Sequence, residues 1–325
     1  MGSTGNWLEI AGAACDHAGV AYNSIEVLTT WGEEWPNNAV FRLDGERIVK
    51  VYGPREERSV HIERAALRTL PNDETIPAPR LVAAGDIPEG RPYLVMTAIP
   101  GGEMADAWGQ MARRELLAVA EEVGAHLAAV HRLPQDELAA VARRCPDRSE
   151  QAIKKRDADR TADIIKAAET LSARDRDDLL QFLHEEAPRH LDGSPKVTHS
   201  DLSHHHVYVS REAGKWRMSG IIDWAEAALG PPEWDIACLW HWTFNGVWHP
   251  TFSAEWEAMQ ACLRSYFSEE QPPDRLARRC LAAFLYSPWV DLIWPEFLKR
   301  ERRSKDIVRE LTEYMFAPEV FGPSD

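Results

Sequence analysis

The run RPYLVMTAIPGG, residues 91 to 102, divides the chain into two kinds of pattern. Before it, apolar residues come in short β-rich runs: NNAVFRLDG and ERIVKVYGP, joined through an Asp-Gly turn, and then APRLVAAGDI. One helix interrupts them, in REERSVHIERAALRTL, where Ile62, Ala66, Leu67 and Leu70 share a face. YLVMTAI is almost wholly apolar, which predicts a buried strand. After Pro100-Gly101-Gly102 the spacing becomes helical. Leu116, Val119, Val123, Leu127 and Val130 form an apolar stripe that stops before Pro134, and helical periods return in ADIIKAAETL and DRDDLLQFLHEEA. Brief strands at KVTHSD, HVYVS and WRMSGIIDW precede a tryptophan-rich helical end. A single core stops growing near about 250–300 residues. The 325 residues therefore predict an α+β chain of two lobes: a small sheet lobe over 1–97 and a larger, mainly helical lobe over 98–325.

A formal charge of −15 argues against a nucleic-acid partner, whose footprint is a basic field, and suits a cationic small molecule. Five cysteines, odd in number and without a C-x-x-C pair, point to a reducing compartment. MGSTGNWLEIAGAACDHAG lacks a basic start followed by an apolar run, and no apolar stretch approaches the roughly 20 residues of a membrane span. The expected location is the cytoplasm, with no membrane partner.

KVTHSDLSHHHVYVS, residues 196 to 210, concentrates the chemistry. Zinc needs three or four ligands converging on one point, and consecutive histidines in a strand alternate faces. A serine nucleophile wants a G-x-S-x-G elbow, which Ser200 and Ser203 lack. Phosphoryl transfer fits better: H-S-D-L-S-H-H-H has the H-x-D-x-x-x-x-N shape of a kinase catalytic loop, with His206 where asparagine is usual. Seventeen positions later an apolar strand delivers Asp223 in SGIIDWAEA. Upstream, Lys50 sits inside the strand RIVKVYG, and Glu63 follows 13 positions later on the helix. That ordered set across two lobes is far more specific than an H-x-D triplet.

With NNAVFRL, IVKVYG, IERAAL, YLVMTAIPGG, THSDLSHHHVYV and GIIDWAEAALGPPEWDIA, the chain resembles the aminoglycoside phosphotransferase family from about residue 30 to 245. The resemblance implies the bilobal protein-kinase-like fold, ATP or GTP as phosphate donor, Mg²⁺, and a small-molecule hydroxyl as acceptor. It implies that Lys50, paired with Glu63, grips the phosphates, that Asp201 orients the attacking hydroxyl, and that Asp223 holds the metal. His199 would brace the loop, and Asp235 would pin it. Asn38 would belong to the nucleotide loop, whose one glycine is Gly32, and Met96 to Ala98 would form the hinge against the base. Two departures stand out. Ser200 replaces a common glycine. His206 replaces the asparagine, and three roles are open to it: second metal ligand, hydrogen-bond partner of Asp201, or none.

Only 12 positions separate Asp223 from Asp235, too few for the activation segment of a protein kinase, so a small acceptor is expected. Trp240, Trp242, Trp248, Trp289 and Trp294, with Glu226, Glu233, Asp291 and Glu296, are candidate aromatic and acidic walls for an ammonium-rich sugar. An aminoglycoside or aminocyclitol antibiotic is the first choice of acceptor, and with it a role in resistance. A macrolide, a choline-like compound or another hydroxyl metabolite fits the same frame. A nucleotide-binding pseudokinase is the competing class, because of His206.

Overall fold

The computed structural model describes residues 4–30, 38–53, 56–70, 76–88, 90–144, 150–191, 193–244, 253–286 and 306–322. Its N-terminal part is a five-stranded antiparallel sheet of β1 (Ile25–Thr30), β2 (Asn38–Leu43), β3 (Arg47–Tyr52), β4 (Leu81–Asp86) and β5 (Pro92–Thr97), in the order β1-β2-β3-β5-β4. The β2–β3 hairpin turns through Asp44, Gly45 and Glu46, the first two at positive φ (49° and 77°), a backbone state that an Asp-Gly pair tolerates well.

Alternation along β3 decides what the sheet carries. Val49 and Val51 point to one face, where they join Phe41, Tyr93 and Val95 in a core closed by Ala11, Ala14 and Cys15 of helix α1 (Thr4–Ala18). Ile48, Lys50 and Tyr52 point to the other, toward helix α2 (Glu57–Thr69), whose Ile62, Ala66, Leu67 and Leu70 are buried there as expected. The central strand β5 is covered on both faces, which explains its unbroken apolar run. Helix α1 and strand β1 depart from the sequence expectation of a single helix among strands. The apolar spacing of α1 is diluted by alanine and glycine, so its amphipathic signal is weak.

The remainder is mainly helical. Strand β6 (Gly102–Glu103) follows Gly101, whose φ of +89° and approach to the Val209 carbonyl leave no room for a side chain. Then come α3 (Met104–Ala107), α4 (Arg113–Val130), α5 (Asp136–Arg144), α6 (Glu150–Ala167), α7 (Ala173–Gln181) and α8 (Ala187–His190). Strands β7 (Lys196–Thr198), β8 (Val207–Glu212), β9 (Lys215–Ile221) and β10 (Ala228–Gly230) form two small sheets, β6-β8-β9 and β10-β7. Helices α9 (Glu233–Leu239), α10 (Ser253–Tyr266), α11 (Leu276–Leu285), α12 (Ile307–Met315) and α13 (Pro318–Phe321) complete the described chain. Among the described residues, no helix is long and apolar enough to cross a membrane. One core joins the α2-facing side of the sheet, α2 and the helices of the remainder.

Candidate active site

Lys50 is the junction of the site. Its Nζ donates to Glu63 Oε2 at 2.8 Å and to Asp223 Oδ1 at 2.7 Å, tying β3 to α2 and to the turn after β9. The Lys50 and Glu63 side chains are 7% and 2% exposed, whereas the Asp223 side chain is 45% exposed, so only the third member reaches solvent. Burial works to deprotonate Lys50, but the charges of Glu63 and Asp223 outweigh it and raise its pKa well above the ordinary lysine range. Burial likewise opposes ionisation of Asp223, and the Lys50 charge and hydrogen bond overcome it, holding the carboxyl well below the usual range. Asp223 sits at φ 60°, ψ 68°, a left-handed conformation uncommon outside glycine.

The catalytic-loop candidate is held from below by Asp235, in the first turn of α9. Its Oδ2 accepts from the His199 backbone N–H at 2.8 Å and from His131 Nε2 at 3.1 Å, and its Oδ1 accepts from the Ser200 N–H at 2.7 Å. His131 in turn meets the Tyr266 hydroxyl at 2.7 Å. Gripped at two consecutive amides, Ser200 adopts φ +69°, the backbone state that glycine at this position would take without strain. His199 is fully buried. Its Nε2 donates to the Ile222 carbonyl at 2.8 Å and its Nδ1 accepts from the Asp201 N–H at 3.3 Å, so the loop is stitched to the strand that delivers Asp223. Burial first, and then the neighbouring His206, lower the His199 pKa and keep the ring neutral.

Asp201 is half-buried at the rim of this assembly. Desolvation raises its carboxyl to about 6; His199 pulls the other way, and the charges of Asp223, Glu226 and Asp235 add to the rise. His206 Nδ1 donates to the Asp201 main-chain carbonyl. Burial lowers the His206 pKa, and the nearby charge of Asp223 opposes that. His204, His205 and His206 lie in a turn before β8 rather than in a strand, so the expected alternation of faces does not apply. His204 packs edge-on against Trp108 and lies with its ring 4.3 Å from that of His205, which meets Glu103 at 2.8 Å, while His206 turns away from both to Asp201.

The remaining expected residues are placed unevenly. Asn38 opens β2 opposite Tyr52, its Oδ1 buried without a hydrogen-bond partner among the described residues. Met96 is 4% exposed at the end of β5, and the Ala98 N–H is committed to the Glu46 carbonyl at 2.8 Å. Glu226 is exposed one turn beyond Asp223. Glu233 and Trp240, expected on an acceptor wall, are core residues instead, each 2% exposed. Glu233 Oε1 takes Arg279 Nε at 2.6 Å, and Trp240 Nε1 donates to the Met315 carbonyl at 2.6 Å. The reason is that every residue of α9 is buried, so its acidic first turn faces partners rather than solvent. Gly32, Trp248, Trp289, Asp291, Trp294 and Glu296, and the side chain of Trp242, lie outside the described residues.

Two site residues escaped the sequence reading. Tyr52 donates its hydroxyl to Glu63, and its ring lies 5.4 Å from the Lys50 ammonium. His131 was hidden at the end of a helix whose stripe reads as plain core. Its spacing before Leu133-Pro134 carries no signal without Asp235 beside it.

The donor set fits a hard divalent cation only in part: Asp223 offers an ionised carboxylate, the oxygen donor such an ion prefers, whereas His206 offers a softer ring nitrogen. Among the described residues, no group of three or more His, Cys, Asp or Glu is arranged to hold a metal ion. A strand lysine paired to a helix glutamate, a braced aspartate loop and a strand-borne aspartate together define a phosphoryl-transfer site of the kinase kind. The chain belongs to the APH phosphotransferase enzyme family, whose model matches residues 28–272. Solved structures share its fold over nearly their whole length. The GDP complex of wild-type aminoglycoside 2'-phosphotransferase-IIIa superposes with a TM-score of 0.63 at 16% identity, covering 96% of this chain and 98% of that one. The streptomycin–ATP ternary complex of APH(2")-IIa gives 0.57 at 16% identity, covering 96% and 98%. A thermostable APH(4)-Ia mutant with ADP and hygromycin B gives 0.57 at 15% identity, also covering 96% and 98%. The fold is thus the kinase-like fold of aminoglycoside phosphotransferases, and the chain is a small-molecule kinase by family.

Proposed function

We propose that this chain transfers the γ-phosphoryl group of ATP or GTP to a hydroxyl of an aminoglycoside or aminocyclitol antibiotic, in the cytoplasm, as a resistance enzyme. One observation carries the reading: Lys50 of β3 and Asp223, just beyond β9, meet at 2.7 Å, with Asp201 close enough to feel the charge of Asp223. Residues 1–97 would bind the nucleotide and 98–325 would supply the loop and the acceptor site. Solved relatives in complex with GDP, ADP or ATP, and with streptomycin or hygromycin B, support both the donor and the acceptor class.

In this mechanism Lys50, steadied by Glu63, turns its charge to the nucleotide phosphates. Asp201 accepts a hydrogen bond from the acceptor hydroxyl, aims its oxygen at the γ-phosphorus and takes the proton as the new P–O bond forms and the bond to the nucleoside diphosphate breaks. Asp223, with His206 as second ligand, would hold Mg²⁺, which supplies neutralisation of phosphate charge. Asn38 and the strand end at Met96 and Ala98 would line the nucleotide pocket. Since the Ala98 N–H is already bonded, its contribution there would be its surface rather than that amide. Glu226, exposed beside Asp223, is the candidate contact for an acceptor ammonium. Incubating the protein with labelled ATP and GTP and a panel of aminoglycosides, macrolides and choline-like alcohols tests the proposal. Transfer confined to a non-aminoglycoside would replace the acceptor, and no transfer with nucleotide binding retained would favour the pseudokinase.

A further inference from the structure

Tyr52 stands two positions beyond Lys50 on β3, so both side chains leave the strand on the face turned to α2. It is completely buried. Its hydroxyl donates to Glu63 Oε2, the same oxygen that receives the Lys50 ammonium at 2.8 Å. Its ring face lies 5.4 Å from that ammonium, close enough for a cation–π attraction. Burial and the Glu63 charge push the phenol well above its ordinary pKa, so it remains a donor throughout the working pH range. Nothing in the phosphate chemistry requires this contact. Lys50 is shared between Glu63 and Asp223 as the chain stands, and it must be shared again with any phosphate it grips. The Tyr52 hydroxyl is the donor to Glu63 that no ligand competes for.

We infer that Tyr52 is a positioning residue that latches α2 to β3 through Glu63, so that the lysine–glutamate pair stays assembled while Lys50 changes partners. Protein kinases are switched by moving the corresponding helix to make or break this ion pair. A buried hydroxyl link, independent of the lysine charge, removes that freedom and leaves the nucleotide site permanently formed. The inference rests on the phosphotransferase reading above, and its test separates the two.

Tyr52→Phe keeps the ring and deletes the latch. Titration with a fluorescent ATP analogue should show affinity weakened roughly tenfold, the scale of a lost hydrogen bond to a charged group. The Tm should fall by a few degrees, because the same hydrogen bond is present in the ligand-free fold, while the KM for the acceptor should stay close to wild type. Amide hydrogen exchange over residues 57–69 should quicken in Y52F. In a Glu63→Gln background the same Tyr52→Phe change should cost much less, because the hydroxyl acts only through the carboxylate. Unchanged affinity and exchange in Y52F, or equal losses in both backgrounds, would overturn the latch. Failure of the wild-type protein to bind any nucleotide would instead sink the phosphotransferase reading, while the exchange comparison would still report on the latch.

Discussion

Lys50 and Asp223 are 173 positions apart in the chain and 2.7 Å apart in space, the lysine buried and the aspartate partly exposed to solvent. The pair places a fixed cation and an ionised carboxylate at one point, and each holds the other in its charged form. Either charge left alone there would be costly, which makes the pair sensitive to loss of one member.

Lys50→Met removes the charge shared by Glu63 and Asp223. The Asp223 carboxyl should climb from its depressed position, and kcat/KM for the nucleotide should fall by about 10²-fold, the cost of one or two charge-assisted hydrogen bonds. Steady-state kinetics with the nucleotide varied and acceptor saturating measures this. A loss below threefold would show that Lys50 does not touch the phosphates.

Asp201→Asn should lower turnover by ~10²–10⁴, the range for one general base, with nucleotide affinity held within about twofold. Calorimetric titration of the nucleotide against the variant supplies the second half of that comparison.

The same residue sets a pH dependence. With its carboxyl near 6, Asp201 is ionised and competent above that pH, so turnover should decline as pH falls through about 6. Glu226 is one of the negative charges that raise it, so Glu226→Gln should move the acid limb to lower pH. A profile of kcat against pH for both proteins reads the displacement directly. Movement toward higher pH would contradict the assignment.

Asp235 links stability to acid. Burial alone would raise its pKa, but the hydrogen bond and charge of His131, together with His199, bring it below the ordinary value near about 3.9. A depressed carboxyl stabilises the fold above its unfolded value, and that stabilisation disappears as pH falls through the folded value. Urea unfolding should therefore show wild-type stability dropping below about pH 4. Asp235→Asn should cost about 3 kcal/mol at pH 7, the scale for breaking a buried charged network, and should lose part of the acid dependence.

Sequence legibility followed chemistry and periodicity. Lys50, Glu63, Asp201, Asp223 and Asp235 stood out because phosphate handling demands those residue types in that order, and the structure links Lys50 to Glu63 and Asp223, and Asp235 to the loop that carries Asp201. The hairpin and β5 were legible because alternation and an Asp-Gly turn have little other meaning. Helix α1 was not, since its buried residues are mainly alanine and cysteine and become a core face only when the sheet lies beneath them. Glu233 and Trp240 misled for the reverse reason. Acidic and aromatic residues near a site suggest a wall, and only the contacts of Glu233 with Arg279 of α11 and of Trp240 with Met315 of α12 show them turned inward. Tyr52 and His131 carry no pattern at all, because each acts through a carboxylate distant in the chain.

Gly124 gives a last case in which residue type and role diverge. It sits inside α4 among Val119, Val123 and Leu127, where a glycine costs the helix roughly 1 kcal/mol relative to alanine. Intrinsic propensity alone therefore predicts that Gly124→Ala stabilises. Packing predicts the opposite, because a Cβ at this position would lie 2.1 Å from the Cys262 carbonyl oxygen of α10, a backbone atom that cannot rotate aside. To admit the methyl, α4 and α10 must separate, and both carry the loop's supports: His131 directly follows α4, and Tyr266 closes α10. Overpacking of this kind costs about 1–3 kcal/mol, more than the propensity gain returns. Gly124→Ala should thus lower the urea midpoint and, by displacing His131 from Asp235, reduce kcat more than it alters nucleotide affinity. A raised midpoint with unchanged turnover would mean that the two helices have slack, and that the Asp235 network does not depend on their separation.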